Sequence, residues 1–187
     1  MLWVPTTFPD VPITHPFFDA IAWMVGAHIA SGYGDGNFHP NDPVTRQAVA
    51  AFLYRLSSSP DGEHPTCDHA PFDDVPMDHP WCGEIEWLVH QGITTGYAGN
   101  VFRPSDPVSR QALAAFLYRL AGDPDGATPA CHAMPFGDVP VASPFCGHIT
   151  WLAGEGIVAG YGDGGFHPAA RTTRQAVASF LYRYDRR

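Results

Sequence analysis

The feature that most constrains the fold of this chain is a unit that occurs three times. The three copies open at Phe8, Phe72 and Phe136, and their offset of 64 residues holds without a gap. One unit is too short to bury its own apolar residues, so the copies must pack on one another. We expect a single domain over residues 1–187, with repeats at about 8–56, 72–120 and 136–184 and linkers at 57–71 and 121–135.

The most regular stretch of each copy predicts a helix with a defined start. Its apolar residues have the i, i+3, i+4, i+7 spacing of a single helix face, in copy one at Val49, Phe52, Leu53 and Leu56. A hydroxyl residue, Thr45, Ser109 or Thr173, precedes the helix and is a typical N-cap.

A second, shorter helix is predicted earlier in each copy, around Trp23, Trp87 and Trp151. It ends at a Gly-Ile pair in copies two and three, where the glycine suits a left-handed helix ending, whereas copy one has His28. A Gly-rich loop then joins the two helices. The expected fold is mainly α, with three helix-loop-helix repeats packed as a closed pseudo-threefold bundle; an open solenoid is the alternative.

Composition narrows the possible functions. The net charge is -9, and all ten basic residues are arginines spread along the chain, which argues against a nucleic-acid partner or an anionic membrane. No apolar run is long enough to span a bilayer. Residues 1–5 lack the features of a secretion signal, so we expect a missing leader or an excised fragment. No catalytic motif stands out, and we predict neither enzymatic activity nor a cofactor.

Arginine stands at the first position of the second helix in every copy, at Arg46, Arg110 and Arg174. A helix start carries partial positive charge, so a cation there needs a carboxylate partner. A ligand could supply it, since a guanidinium beside free helix-start N–H groups suits a carboxylate. The alternative is a structural ion pair with the aspartates that recur in register, namely Asp10, Asp74 and Asp138.

The order of motifs resembles a known family. Phe-x-Asp-Val-Pro, the Trp helix, Gly-Ile, the loop Gly-Tyr-x-Asp-Gly-x-Phe-x-Pro and Thr-Arg recur three times and closely resemble the S-layer homology domain. The resemblance implies an extracellular, three-pronged helical module at the cell surface. It implies non-covalent binding of an anionic, pyruvylated cell-wall polysaccharide in grooves between repeats, with a fused or associated surface protein as a second partner. The runner-up function is a structural assembly module without glycan binding.

The family's binding motif, Thr-Arg-Ala-Glu, carries over only in part. Thr45-Arg46, Ser109-Arg110 and Thr173-Arg174 match its first two positions. The glutamate is replaced by alanine in every copy, which removes a capping-box partner worth roughly 1 kcal/mol or less. Our candidate carbohydrate-binding residues are the three arginines and three aspartates, the neighbouring Gln47, Gln111 and Gln175, and Trp23, Trp87 and Trp151. The tryptophans could instead pack between repeats.

Four cysteines form two pairs with the same spacing, Cys67 with Cys82 and Cys131 with Cys146. Copy one lacks both members and has Trp3 and Phe18 in their place, and this joint loss predicts two disulfides within repeats. Zinc is the rival explanation, but the nearby histidines do not stay in register. The copies also differ around their helix starts. Copy one has the most complete set of loop and helix-start residues, so we expect the three grooves to be unequal.

Overall fold

The computed structural model describes residues 8–57, 65–131 and 134–187, and in them it contains two α-helices per copy. The helices are α1 Phe18–Gly26, α2 Arg46–Leu56, α3 Cys82–His90, α4 Arg110–Leu120, α5 Cys146–Gly154 and α6 Arg174–Tyr184. Backbone pairing between copies is limited to isolated bridges in these residues. The predicted mainly helical class is confirmed. No helix of the described segments has the length and apolar character needed to cross a membrane.

The second helix of each copy starts at the predicted N-cap. Thr45 is extended, and its side chain accepts a hydrogen bond from the N–H of Ala48. Ser109 caps the N–H of Ala112 in the same way. Thr173 has the same extended backbone but makes no side-chain cap bond. The hydroxyl group that caps the helix in the first two copies is therefore not used for capping in the third.

The first helices end in the left-handed conformation that the sequence predicts. Gly92 has a φ of +69°, and the N–H of Ile93 donates to the carbonyl oxygen of Leu88 over 2.9 Å. Gly156 repeats this geometry. His28 adopts it as well, with a φ of +58°, although a side chain disfavours this region.

Helices pair between copies, in a cyclic order. Helix α2 packs on α3, α4 packs on α5, and α6 returns to pack on α1. The central tryptophan of each first helix makes an edge-on contact with a tyrosine of the preceding copy, in the pairs Tyr54–Trp87, Tyr118–Trp151 and Tyr182–Trp23. Such pairs contribute about 0.5–1.5 kcal/mol beyond the area they bury. Each helix pair therefore joins two copies.

Backbone hydrogen bonds close the ring at its centre. Val44 donates to the carbonyl oxygen of Thr172 over 2.9 Å, Thr172 donates to Val108 over 2.9 Å, and Val108 donates to Val44 over 2.8 Å. All three residues are buried. Because each copy donates once and accepts once, the arrangement is a closed pseudo-threefold bundle, as predicted, and the open solenoid alternative is wrong.

Both predicted disulfides are present. Cys67 is bonded to Cys82 and Cys131 to Cys146, so these sulfurs are not available as zinc-binding thiolates. A glycine follows the second cysteine of each pair, and a Cβ atom on Gly83 or Gly147 would collide with the carbonyl of Pro65 or Pro129 in the incoming linker. Copy one has Asp19 at this position. Its Trp3, the predicted apolar substitute for a cysteine, lies outside the described residues.

Candidate functional site

Each arginine at a second-helix start reaches into the loop of another copy. The Nε of Arg46 donates to the carbonyl oxygen of Phe102 over 2.7 Å. Arg110 makes the equivalent bond to Phe166 over 2.7 Å. Arg174 makes it to Phe38 over 2.8 Å. The arginines are at least nine-tenths buried, so these bonds hold the three copies together.

Aromatic rings lie against each guanidinium group, three at Arg46 and at Arg110 and two at Arg174. The Cζ of Arg46 lies 4.7 Å from the ring centroid of Tyr97 and 4.4 Å from that of Phe102. Burial lowers the pKa of Arg46, and likewise of Arg110 and Arg174, but a guanidinium remains protonated in proteins. The three sites therefore hold permanent cations against aromatic faces, an arrangement that stabilises the charge.

The N–H groups at the start of α2 already have partners. Arg46 donates its backbone N–H to the carbonyl of Asp106, and Gln47 donates to Pro104, each over 2.9 Å. The N–H of Ala48 is capped by Thr45. The first two bonds recur at the starts of α4 and α6. The prediction of free helix-start N–H groups for an anion is therefore wrong at α2 and α4, where the neighbouring copy and the cap residue supply the acceptors, whereas at α6 the third N–H has no cap bond.

The recurring aspartates order the loops rather than pair with the arginines. The carboxylate of Asp74 accepts hydrogen bonds from the N–H groups of Phe102 and Arg103, each over 2.7 Å. Asp10 and Asp138 do the same in their copies. No carboxylate of the described residues forms an ion pair with the three arginines. The predicted structural ion pair is wrong, and the aspartates instead hold the loop whose carbonyl the arginine contacts.

Two of the arginines open into cavities at the junctions between copies. The cavity beside Arg46 has a volume of about 170 Å³, and the one beside Arg110 about 350 Å³. Each contains residues of all three copies. The arginine comes from one copy and the opposite wall from the loop and second helix of the next. The remaining copy contributes one aromatic side chain to each cavity. This is Phe145 of copy three beside Arg46 and Phe17 of copy one beside Arg110.

The other candidates lie in different places. Gln175 lines the larger cavity, whereas Gln47 and Gln111 do not line either of these two. The contacts of the tryptophans with tyrosines favour packing between repeats. Trp87 also borders a separate polar cavity with Glu86 and His90. A carbohydrate-binding role for the glutamines and tryptophans stays a prediction.

Several residues at the cavities were not predicted from the sequence. The exposed Tyr97 and Tyr161 form part of the cavity walls. Phe145 of copy three lines the cavity beside Arg46, and Phe17 of copy one lines the cavity beside Arg110. The invariant Gly-Tyr of each loop was a usable signal for the tyrosines. Ser179, which lines the larger cavity, replaces an alanine of the other copies and gave a weaker signal.

Fold and cavities together define a closed three-repeat helical module with cationic grooves between its repeats. The model of the S-layer homology domain family matches residues 7–50, 71–114 and 135–178, once in each copy. The chain belongs to this family. The predicted location at the cell surface is confirmed by the family and by the surface proteins among its relatives.

Three relatives illustrate the likeness. The chain is 27% identical over 183 residues to an S-layer protein sap of Bacillus anthracis, across 96% of this chain and 21% of the relative. It is 30% identical over 139 residues to a cellulosome-anchoring protein of Acetivibrio thermocellus, across 72% and 30%. It is 30% identical over 121 residues to a cell surface protein of Thermoanaerobacter kivui, across 64% and 16%. The chain thus spans less than a third of the length of each relative.

Proposed function

We propose that this chain is a non-covalent anchoring module that binds an anionic, pyruvylated polysaccharide of the cell wall in its grooves. Family membership and the anchoring and S-layer proteins among the relatives support the anchoring role. An attached surface protein would then be held at the wall through this module. We propose no catalytic step for it.

One observation carries the proposal of an anionic ligand. Arg46 and Arg110 are buried cations at open cavities, and no carboxylate of the described residues pairs with them. Their Nε atoms donate to loop carbonyl oxygens, and these are the only hydrogen bonds of the two side chains among the described residues. A ligand carboxylate would add a charge-assisted bond at the remaining nitrogens, the contact that a guanidinium makes best.

The alternative is a structural assembly module, and it also rests on a specific observation. The three arginines donate hydrogen bonds to the loops of other copies, and this structural role would explain their presence without any ligand. The two functions differ in what they require of the wall. Only the anchoring function depends on negative charge in the polysaccharide.

The direct test is co-sedimentation of the purified chain with bacterial cell walls that carry pyruvylated polysaccharide. We expect binding to intact walls and its loss after mild acid removes the pyruvate ketals. Isolated pyruvylated polysaccharide should compete for binding, and the stripped polysaccharide should not. Equal binding to stripped and intact walls would exclude the proposed ligand, and failure to bind either would favour the assembly module.

A further inference from the structure

The three arginines are chemically unequal. Arg174 donates a second hydrogen bond, from Nη2 to the carbonyl oxygen of Ser31 over 2.9 Å, so one of its two terminal nitrogens is engaged within the protein. Arg46 and Arg110 donate only from Nε among the described residues. The two arginines that open into the described cavities are therefore those with both terminal nitrogens uncommitted, whereas Arg174 has one of the two engaged.

The groove beside Arg110 is lined by three hydrogen-bonding side chains of copy three near the start of α6. Thr173, Gln175 and Ser179 line it. Among the described residues the hydroxyl of Thr173 does not cap its helix and the hydroxyl of Ser179 makes no hydrogen bond, whereas the Gln175 amide already donates to Asn41. Both hydroxyl groups therefore border the cavity without a partner in the described part of the chain, and hydroxyl groups can donate to and accept from the hydroxyls of a sugar.

The groove beside Arg46 has a different set of hydroxyl groups, those of Thr94 and Thr95, and Thr94 already accepts a hydrogen bond from the N–H of Gly96. Ser109, the counterpart of Thr173, uses its hydroxyl to cap Ala112, and Ala115 stands in the place of Ser179. The volume differs as well, at about 170 Å³ against 350 Å³. Sites for small ligands usually enclose about 300–1,000 Å³, and of these two grooves the one beside Arg110 reaches that size.

We infer that the Arg110 groove is the principal glycan site of this chain and that Thr173 and Ser179 select its ligand. The inference rests on the proposed function. Its ligand is a carboxylate-bearing sugar with free hydroxyl groups: the carboxylate pairs with Arg110, the hydroxyls bond to Thr173 and Ser179, and Phe17 supplies an apolar wall. The expectation that copy one carries the most complete site is thereby replaced, because its arginine lines the smaller groove.

Three matched variants test this inference, two of which fill a groove described above while the third changes the equivalent position of copy one. Ala48, Ala112 and Ala176 occupy the same half-buried position at the start of α2, α4 and α6. Ala112 lines the Arg46 groove and Ala176 the Arg110 groove. We expect Ala176→Trp to weaken binding to isolated pyruvylated polysaccharide at least about tenfold, the loss of about 1.4 kcal/mol. Ala112→Trp and Ala48→Trp should change it less than about threefold.

The outcomes separate the inference from the proposed function. If all three variants lose affinity equally, or if Ala112→Trp or Ala48→Trp loses more than Ala176→Trp, the principal-site inference is wrong while groove binding stands. If all three bind as the wild type, both fail. Each variant is compared only below its own melting transition, so unfolding is not counted as lost binding.

A reciprocal exchange tests the role of Ser179 without disturbing the fold. Ser179→Ala restores the residue of the other copies, and Ala115→Ser moves the hydroxyl to the Arg46 groove. We expect Ser179→Ala to weaken binding about twofold to tenfold, as for one neutral hydrogen bond, and Ala115→Ser not to weaken it. Unchanged affinity of Ser179→Ala would overturn the assignment of this side chain.

Discussion

Arg174 and Phe38 are 136 positions apart in the chain, yet the arginine Nε donates to the phenylalanine carbonyl oxygen over 2.8 Å. This bond joins the third copy to the first and repeats the contacts that join the first to the second and the second to the third. It completes the ring, and with it the set of grooves. The fold and the proposed function therefore involve the same three side chains.

Deletion of copy two should abolish cooperative folding. Helix α2 would lose α3, and α5 would lose α4, leaving two apolar faces uncovered. Thermal unfolding followed by circular dichroism should show no sharp transition. As a control, four glycines inserted between the exposed Ala127 and Thr128 should cost less than about 1 kcal/mol. An isolated copy that melts cooperatively as a folded monomer would contradict the single-domain account.

Each disulfide should stabilise the fold by about 3 kcal/mol, since it closes a loop with a separation of 15 residues. Peptide mapping without reductant should find Cys67 linked to Cys82 and Cys131 linked to Cys146. Complete reduction should lower the urea midpoint of the wild type but leave that of the variant with all four cysteines replaced by alanine unchanged. Crossed pairs, or a wild-type midpoint insensitive to reduction, would contradict this prediction.

His28→Gly should stabilise the protein by about 1 kcal/mol. His28 has the left-handed backbone conformation that Gly92 and Gly156 have in the other copies. Glycine adopts this conformation without strain, and the side chain that is lost is exposed. Urea unfolding measures the gain. Gly92→Ala is the matched control and should lose a comparable amount. If His28→Gly were neutral or destabilising, the strain at this helix end would be absent.

Stability should fall in mild acid because of His148. This residue is buried between α4 and α5, against the rings of Tyr118 and Phe145, and neither of its ring nitrogens makes a hydrogen bond of normal geometry among the described residues. Burial lowers the pKa of His148, the Arg119 cation adds to the shift, and Asp123 and the Pro144 carbonyl oppose it without cancelling it.

The sign of this pH dependence follows from proton linkage. His148 of the unfolded chain takes up a proton below about pH 6.5, whereas in the folded protein it does so only near its lower pKa. The free energy of unfolding is therefore at its full value above about pH 6.5 and decreases as the pH falls towards the native pKa. The loss can reach about 1.4 kcal/mol per pH unit. Urea midpoints of the wild type and His148→Leu, measured from pH 7.5 to 5, should diverge in this way. Parallel curves would show that His148 does not titrate on unfolding.

Local features of the sequence were sufficient to predict the helices and the disulfides. The start of α2 was predicted from Thr45 and its apolar face from the residues that begin at Val49. Capping and helical periodicity act within a few residues, so both can be recognised locally. The disulfides followed from the cysteine positions that copy one lacks together. Each of these signals lies within one copy or in a comparison of equivalent positions.

Features that depend on contacts between copies were not predictable in the same way. Nothing near Arg46 indicates that its backbone N–H will donate to Asp106 in the next copy. The role of Asp74 was also missed, since a register with the arginines suggested an ion pair rather than a bond to the loop N–H groups. The hydroxyl of Thr173 could not be recognised as uncommitted until its missing cap bond was seen.

Single substitution of the three arginines by alanine separates a ligand contact from a structural bond, because melting and wall binding are measured on the same variant. The exposed Arg103 is the matched control. It contacts the same Tyr97 ring as Arg46, at 4.8 Å, but does not line the cavity. Arg103→Ala removes the same charge and should leave wall binding unchanged.

The most direct measurement is the affinity of Arg110→Ala for pyruvylated polysaccharide, taken at a temperature where its melting curve shows it folded. The account predicts a loss on the order of 1.5 to 3 kcal/mol, as for a charge-assisted hydrogen bond, beyond any change explained by unfolding. If Arg46→Ala, Arg110→Ala and Arg174→Ala all bind as the wild type, or lose binding only in step with unfolding, the arginines are structural and the anchoring account is contradicted.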